Sequence, residues 1–216
     1  MAFWKRKPRT RGELIAAADR ARVTGRLKAA AEGYRRVLAE HDPDDPHVNG
    51  KLAPLLAHLG DTTGALSSFR RSAEGHLRAG FHDRALAVYA QACDAFPLEP
   101  DFHSEAARIH LVRGRRADAA IVLVRGGRAL GRTRRASAIE MLQGALGLQP
   151  SDLEATLALA PLLRREDRRS EALELLRCIE PELRGAPRRR VRWQILRTAP
   201  GLRTAWGWMA ALTSRR

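Results

Sequence analysis

The chain has 216 residues, 44% of them hydrophobic and 29% charged, a balance that supports a packed core and excludes disorder throughout. Aromatics are only 5% while alanine fills 37 positions, which suits close helix packing better than a β-sandwich, so an all-α fold is expected. The net charge of +15 is gathered at the ends: residues 1–11 hold Lys5, Arg6, Lys7, Arg9 and Arg11 without an acid, residues 183–216 hold nine arginines without an acid, and the body between is close to neutral.

In chain order, residues 1–11 form a basic arm. It runs from Phe3-Trp4 through its cations into Pro8 with no apolar stretch behind them, unlike a secretory signal. The longest apolar runs, such as 119–124, fall far short of the roughly 20 residues that span a bilayer. A cytoplasmic location is the expectation. Only Cys93 and Cys178 occur, far apart and inside apolar helical pattern, and two unrelated buried thiols are expected.

Residues 12–183 carry a repeat. A small residue followed four positions later by an aromatic or leucine recurs six times: Ala30 with Tyr34, Ala65 with Phe69, Ala85 with Tyr89, Ala119 with Leu123, Ala138 with Leu142 and Ala172 with Leu176. Twelve residues before each of those alanines stands another small residue (Ala18, Ala53, Ala73, Ala107, Gly126, Ala160). Five before stands a turn former (Gly25, Gly60, Gly80, Gly114, Thr133, Asp167). Two antiparallel helices joined by a tight turn approach closely only where both side chains at the crossing are small. Glycine ends the first helix at little conformational cost, and the larger residue one turn on fills the gap beneath the neighbouring unit.

Successive alanines are 35, 20, 34, 19 and 34 apart, so two steps are too short for a complete helix pair. The spacing predicts that one helix serves twice, at 66–79 and again at 121–130, giving a duplicated three-helix super-unit over 47–97 and 101–150. Beyond residue 183, two more helices are expected at 188–197 and 202–212, parted by Pro200-Gly201. A solenoid needs an atypical end to shield its last apolar face, and Trp193, Trp206, Trp208 and Met209 suit that role.

This pattern resembles the tetratricopeptide repeat (TPR), whose second helix carries A-x3-F and then a proline. Pro97 and Pro150 fall twelve residues after their alanines and Pro43 thirteen. The large aromatic near the start of the first helix is missing throughout, and Leu-Gly-x2-Tyr survives only in degraded form, as at Leu52-Ala53 with Leu56. The mixed spacing is similar to that of bacterial TPR proteins. The resemblance implies an all-α, TPR-like helical-hairpin solenoid coiled as a right-handed superhelix over 12–183, with capping helices over 184–216.

Chemistry finds no foothold in the sequence. Zinc-protease, paired-cysteine, dinucleotide, nucleophile-elbow and P-loop motifs are all missing. The run Arg125-Gly-Gly-Arg-Ala-Leu-Gly-Arg132 lacks the Gly-Lys-Ser/Thr end of a phosphate loop and lies where a helix is expected. His103 and His110 share a helical face but have no third ligand nearby in pattern. Acid pairs at Asp44/Asp45 and Glu171/Glu174 fit helix starts, where capping and the helix dipole account for them. No enzyme activity, cofactor or metal is expected.

The resemblance instead implies a protein or peptide partner held on the concave face formed by first helices. Outward polar residues there are Asp19, Arg22, His58, Arg70, Glu74, Arg78, Arg108, Arg164 and Arg165, with a solvated face as the alternative. The other reading is attachment to a polyanion, nucleic acid or anionic lipid, through Lys5, Arg6, Lys7, Arg9, Arg11, Arg188, Arg189, Arg190 and Arg192.

Overall fold

The computed structural model describes residues 10–213, which form twelve α-helices and no strand. The chain divides into two compact units, residues 1–96 and 97–216. The first unit holds α1 (Arg11–Val23), α2 (Leu27–Glu40), α3 (Pro46–Leu59), α4 (Thr62–Arg78) and α5 (His82–Ala95). Within it each helix packs on the next, and α3 also touches α5. The second unit holds α6 (Pro100–Val112), α7 (Arg116–Leu130), α8 (Arg135–Leu148), α9 (Leu153–Arg165), α10 (Arg169–Ile179), a 3-10 turn (Glu180–Glu182), α11 (Gly185–Thr198) and α12 (Leu202–Thr213). Here too each helix packs on its successor, and α9 makes further contact with α7 and α11.

The turns after α1, α3, α4, α6 and α9 share one geometry. Gly25, Gly60, Gly80, Gly114 and Asp167 take φ of 72°, 82°, 75°, 71° and 59°. The amide after each reaches back to the carbonyl five residues earlier, as from Arg26 to Ala21 and from Arg168 to Leu163, both at 2.9 Å. That bond satisfies a carbonyl the helix end would otherwise leave open. A side chain in left-handed backbone is costly, which is why glycine fills four of the five positions, and aspartate tolerates it better than most. The sixth expected turn residue, Thr133, departs from this scheme. Gly131 stays right-handed at φ −56°, and the amides of Thr133 and Arg134 both donate to the Leu130 carbonyl, so the α7–α8 link needs no positive φ.

The small pairs are buried at all six crossings, from Ala18 with Ala30 to Ala160 with Ala172, Gly126 with Ala138 included. The approach is close: a Cβ built on Gly33 would lie 2.9 Å from the Ala18 Cβ. One turn on, Tyr34, Phe69, Tyr89, Leu142 and Leu176 are buried and Leu123 partly so, each full burial contributing about 1.5–3 kcal/mol. The short repeat steps arise because α4 and α7 each close a hairpin with the helix before and open another with the helix after. The two super-units are thus α3–α5 and α6–α8. The glycine run at 125–132 lies largely in α7, with Gly126 and Gly127 buried. There glycine makes room for His103, Met141 and Leu142 and forms no phosphate loop.

Two expectations are corrected. Cys93 is buried, but Cys178 is exposed: α10 buries Ala172, Leu176 and Ile179, and a residue two places after Leu176 points the other way. At the C-terminal end, Val191, Ile195 and Thr198 of α11 do the shielding. Trp193, Trp206 and Met209 remain exposed, with Trp193 and Trp208 in ring contact at 5.2 Å.

His103 on α6 gives the second unit a pH response. Its ring is buried, its Nε2 lies 3.3 Å from the Pro97 carbonyl, and its Nδ1 has no hydrogen-bond partner. Burial above all, with Arg125 assisting against the Pro97 carbonyl, holds it below the ordinary imidazole value. A depressed folded value means the unfolded chain binds the proton more readily, so this stability is present above about pH 6.5 and is lost as pH falls below it. The urea midpoint of the second unit is expected to fall from about pH 7.5 to about pH 5, and His103→Phe to flatten that slope. An unchanged slope in the variant would assign the effect elsewhere.

Candidate partner-binding groove

In the second unit α9 stands between α7 and α11. Glu154 in the first turn of α9 joins all three: its Oε2 accepts from Arg128 of α7 at 3.1 Å and its Oε1 from Arg190 of α11 at 2.9 Å. Asp152 caps the same helix, accepting from the Ala155 amide at 2.9 Å. Both acids follow from local rules, since a helix start attracts a capping carboxylate and negative charge.

Between α7 and this helix start lies a groove of about 440 Å³, lined by Ile121, Val124, Arg125, Arg128, Asp152 and Glu154. A shallower depression of about 560 Å³ continues over residues 149–154. Ile121 and Val124 make the groove's lining apolar, and the paired Arg128 and Glu154 stand at its edge. Ile121 is 62% exposed, a β-branched side chain on the face of α7 opposite the packing side of Ala119 and Leu123. None of the groove's lining residues is among those expected on the concave face or at the polyanion surface. Its signal was an isoleucine two places after a buried alanine, where the helical period points to solvent.

The residues expected on a concave face are spread over five helices. Asp19 of α1 is drawn into the framework: it accepts from the Tyr34 hydroxyl at 2.5 Å and from Lys51 Nζ at 2.9 Å. Burial raises its pKa, but these bonds and the charges of Lys51 and Arg22 outweigh burial and leave it low. Tyr34 is pushed up to about 12, by burial first and by Asp19 second. Arg22 and His58 are exposed, and Arg70, Glu74 and Arg78 form an exposed i, i+4, i+8 stripe on α4. Arg108 donates to Glu105 on its own helix at 2.6 Å. Arg164 is half-buried, held below its ordinary value by burial and then by Arg197, Arg165 and Arg169; Arg165 is exposed.

Of the polyanion candidates, Lys5, Arg6, Lys7 and Arg9 lie outside the described residues. Arg11 pairs with Asp45, Arg190 with Glu154, and Arg188 and Arg192 share Glu180 at 3.6 and 2.6 Å; Arg189 is half-buried on α11. Among the described residues no cluster of three or more His, Cys, Asp or Glu is placed to hold a metal ion. No described helix is long and apolar enough to cross a membrane.

No curated protein matches the sequence. Among solved structures the chain is similar to MamA, at 13% identity over 87% of this chain and 91% of that one with a TM-score of 0.37. It is also similar to PilW, a widely conserved type IV pilus biogenesis factor, at 14% identity over 97% and 94% with a TM-score of 0.36. A tetratricopeptide repeat protein from Parabacteroides merdae matches at 15% identity over 95% and 93% with a TM-score of 0.34. Likeness at that level carries nothing about function. The family model of the tetratricopeptide repeat matches residues 15–76 and 72–125, more than half of the sequence, and with the hairpin crossings described above the chain belongs to the tetratricopeptide repeat family.

Proposed function

We propose that the chain is a non-catalytic interaction module that holds a protein partner by an extended segment seated in the Ile121 groove. The observation that carries this reading is an exposed isoleucine in an apolar-lined groove rimmed by the Arg128–Glu154 ion pair, with a volume within the range of small binding sites. The partner segment that fits presents an apolar side chain to Ile121 and Val124, and its polar groups meet a rim where Arg128 and Glu154 are already paired with each other. In the first unit the α4 stripe of Arg70, Glu74 and Arg78 is an exposed polar surface of its own. The polyanion reading gains less, because four of its five described arginines are engaged with carboxylates of the chain itself.

The test is capture from a nuclease-treated native lysate at low and at about 0.5 M salt, where contacts resting on exposed charge alone are screened. Discrete proteins are expected to persist with the wild type and to be lost with Ile121→Asp, which leaves packing intact because the side chain faces solvent. Capture that disappears with nuclease or salt, or that Ile121→Asp leaves unchanged, would overturn the proposal.

A further inference from the structure

Among the described residues, one side of the last helix has no packing partner. At 100° per residue, α12 turns Gly207, Ala211, Thr204 and Trp208 toward one side, and α11 is the helix it packs on. The opposite side carries Leu202, Trp206, Met209 and Leu212, exposed by 93%, 72%, 48% and 48%. The three described tryptophans of the chain, 193, 206 and 208, all lie on α11 and α12. Arg203, beside this face, is the one charged residue of α12.

The surrounding charge is of one sign. Residues 183–216 contain no acid, and although Arg188, Arg190 and Arg192 pair with Glu180 and Glu154, Arg184, Arg189, Arg197 and Arg203 have no carboxylate partner among the described residues. A second copy of the chain offers a poor cover for this face, since two such ends meet cation against cation. An anionic bilayer supplies both missing complements: its headgroups neutralise arginine, and its interface is where tryptophan, with an apolar body and an N–H to hydrate, is favoured. An amphipathic helix lies in that interface with its apolar side down, without spanning. We infer that α12, with the unpaired arginines of α11 and α12 around it, is a docking surface for an anionic membrane. This goes beyond the partner groove and uses none of its residues.

The test takes the full chain in a Trp4→Phe background, so that tryptophan emission reports only on α11 and α12. It is titrated with vesicles of phosphatidylcholine alone or mixed with phosphatidylglycerol. Binding and a blue shift are expected with the anionic vesicles only. Trp206→Ser combined with Met209→Ser is expected to weaken that binding about ten-fold, since the two side chains supply the inserted apolar area, with helical melting unchanged because both are exposed. Arg197→Gln with Arg203→Gln is expected to weaken it while leaving the salt-insensitive part. The proposal fails if the anionic vesicles are not bound, if neutral vesicles bind equally, or if the double serine variant binds as the wild type does. It fails also if the wild type sediments as a dimer that the serine variant abolishes, because a second copy then covers the face.

Discussion

Replacing Gly127 by alanine is expected to destabilise the second unit by about 2 kcal/mol, against the gain of roughly 1 kcal/mol that the same change brings in an open helix. A Cβ at position 127 would lie 2.5 Å from Leu142 Cγ and 3.1 Å from the Ala138 carbonyl oxygen. Neither neighbour can yield: Leu142 is fully buried in the core, and the other contact is backbone of α8. The α7–α8 crossing must widen, and contacts along it are lost in proportion. At Gly126 the new Cβ meets the His103 ring at 2.7 Å and Met141 Sδ at 2.8 Å; the thioether can move aside but the buried ring cannot, so Gly126→Ala should cost about as much. Gly144→Ala is the control, since its Cβ meets only Leu123 Cδ1 at 3.5 Å, and stabilisation of up to about 1 kcal/mol is expected. Urea unfolding followed by helical circular dichroism measures all three. Equal stability of Gly127→Ala and wild type would mean that close approach of α7 and α8 is not what requires glycine there.

The same crossings explain why so much of the fold is legible in the sequence. Two helices closing on a tight turn impose a size limit at one position on each and a sign of φ at the turn. Both are properties of single residue types at fixed spacing, so Ala18, Gly25 and Ala30 can be read in order without a neighbour in view. Thr133 shows where this stops: the α7–α8 link meets its carbonyls with right-handed backbone, and no residue type announces that choice. The tryptophans near the C-terminus misled because apolar composition tells how much surface wants cover, while helical phase decides which residues receive it, and Val191 and Ile195 hold the covered phase of α11. Surface function is less legible for a related reason. Asp19 looks like a free polar residue of a first helix, yet Tyr34, fifteen residues on, and Lys51, thirty-two on, claim both its oxygens. The groove at Ile121 depends on Asp152 and Glu154 arriving from the next hairpin. Such neighbours are fixed by the stacking of hairpins and not by any one repeat.

In the first unit Asp45→Ala is expected to cost about 2 kcal/mol, a large loss for a single polar side chain. Its Oδ1 caps α3 by accepting from the amides of His47 at 2.9 Å and Val48 at 3.1 Å, while its other oxygen receives Arg11 at the start of α1. Next to it, Pro46 sits in a notch of α4, with its carbonyl accepting from Ser72 Oγ at 2.7 Å and its ring where a Cβ on Gly75 would be. One carboxylate therefore fixes the entry of α3, which must be right for both α1 and α4 to pack. Burial raises the Asp45 pKa, but Arg11 and the two amides outweigh it and leave the group below its usual value. A depressed folded value gives stability that is present above about pH 4 and lost as pH falls toward that value. Asp45→Asn keeps an acceptor for the cap and gives up the ion pair, so it should lose less than alanine and should unfold in acid with a shallower dependence than the wild type. Chemical denaturation at about pH 7 and about pH 3 separates the two contributions. If alanine and asparagine cost the same at neutral pH, the ion pair to Arg11 carries the stability and the cap adds little; if asparagine is as stable as the wild type, the cap carries it alone.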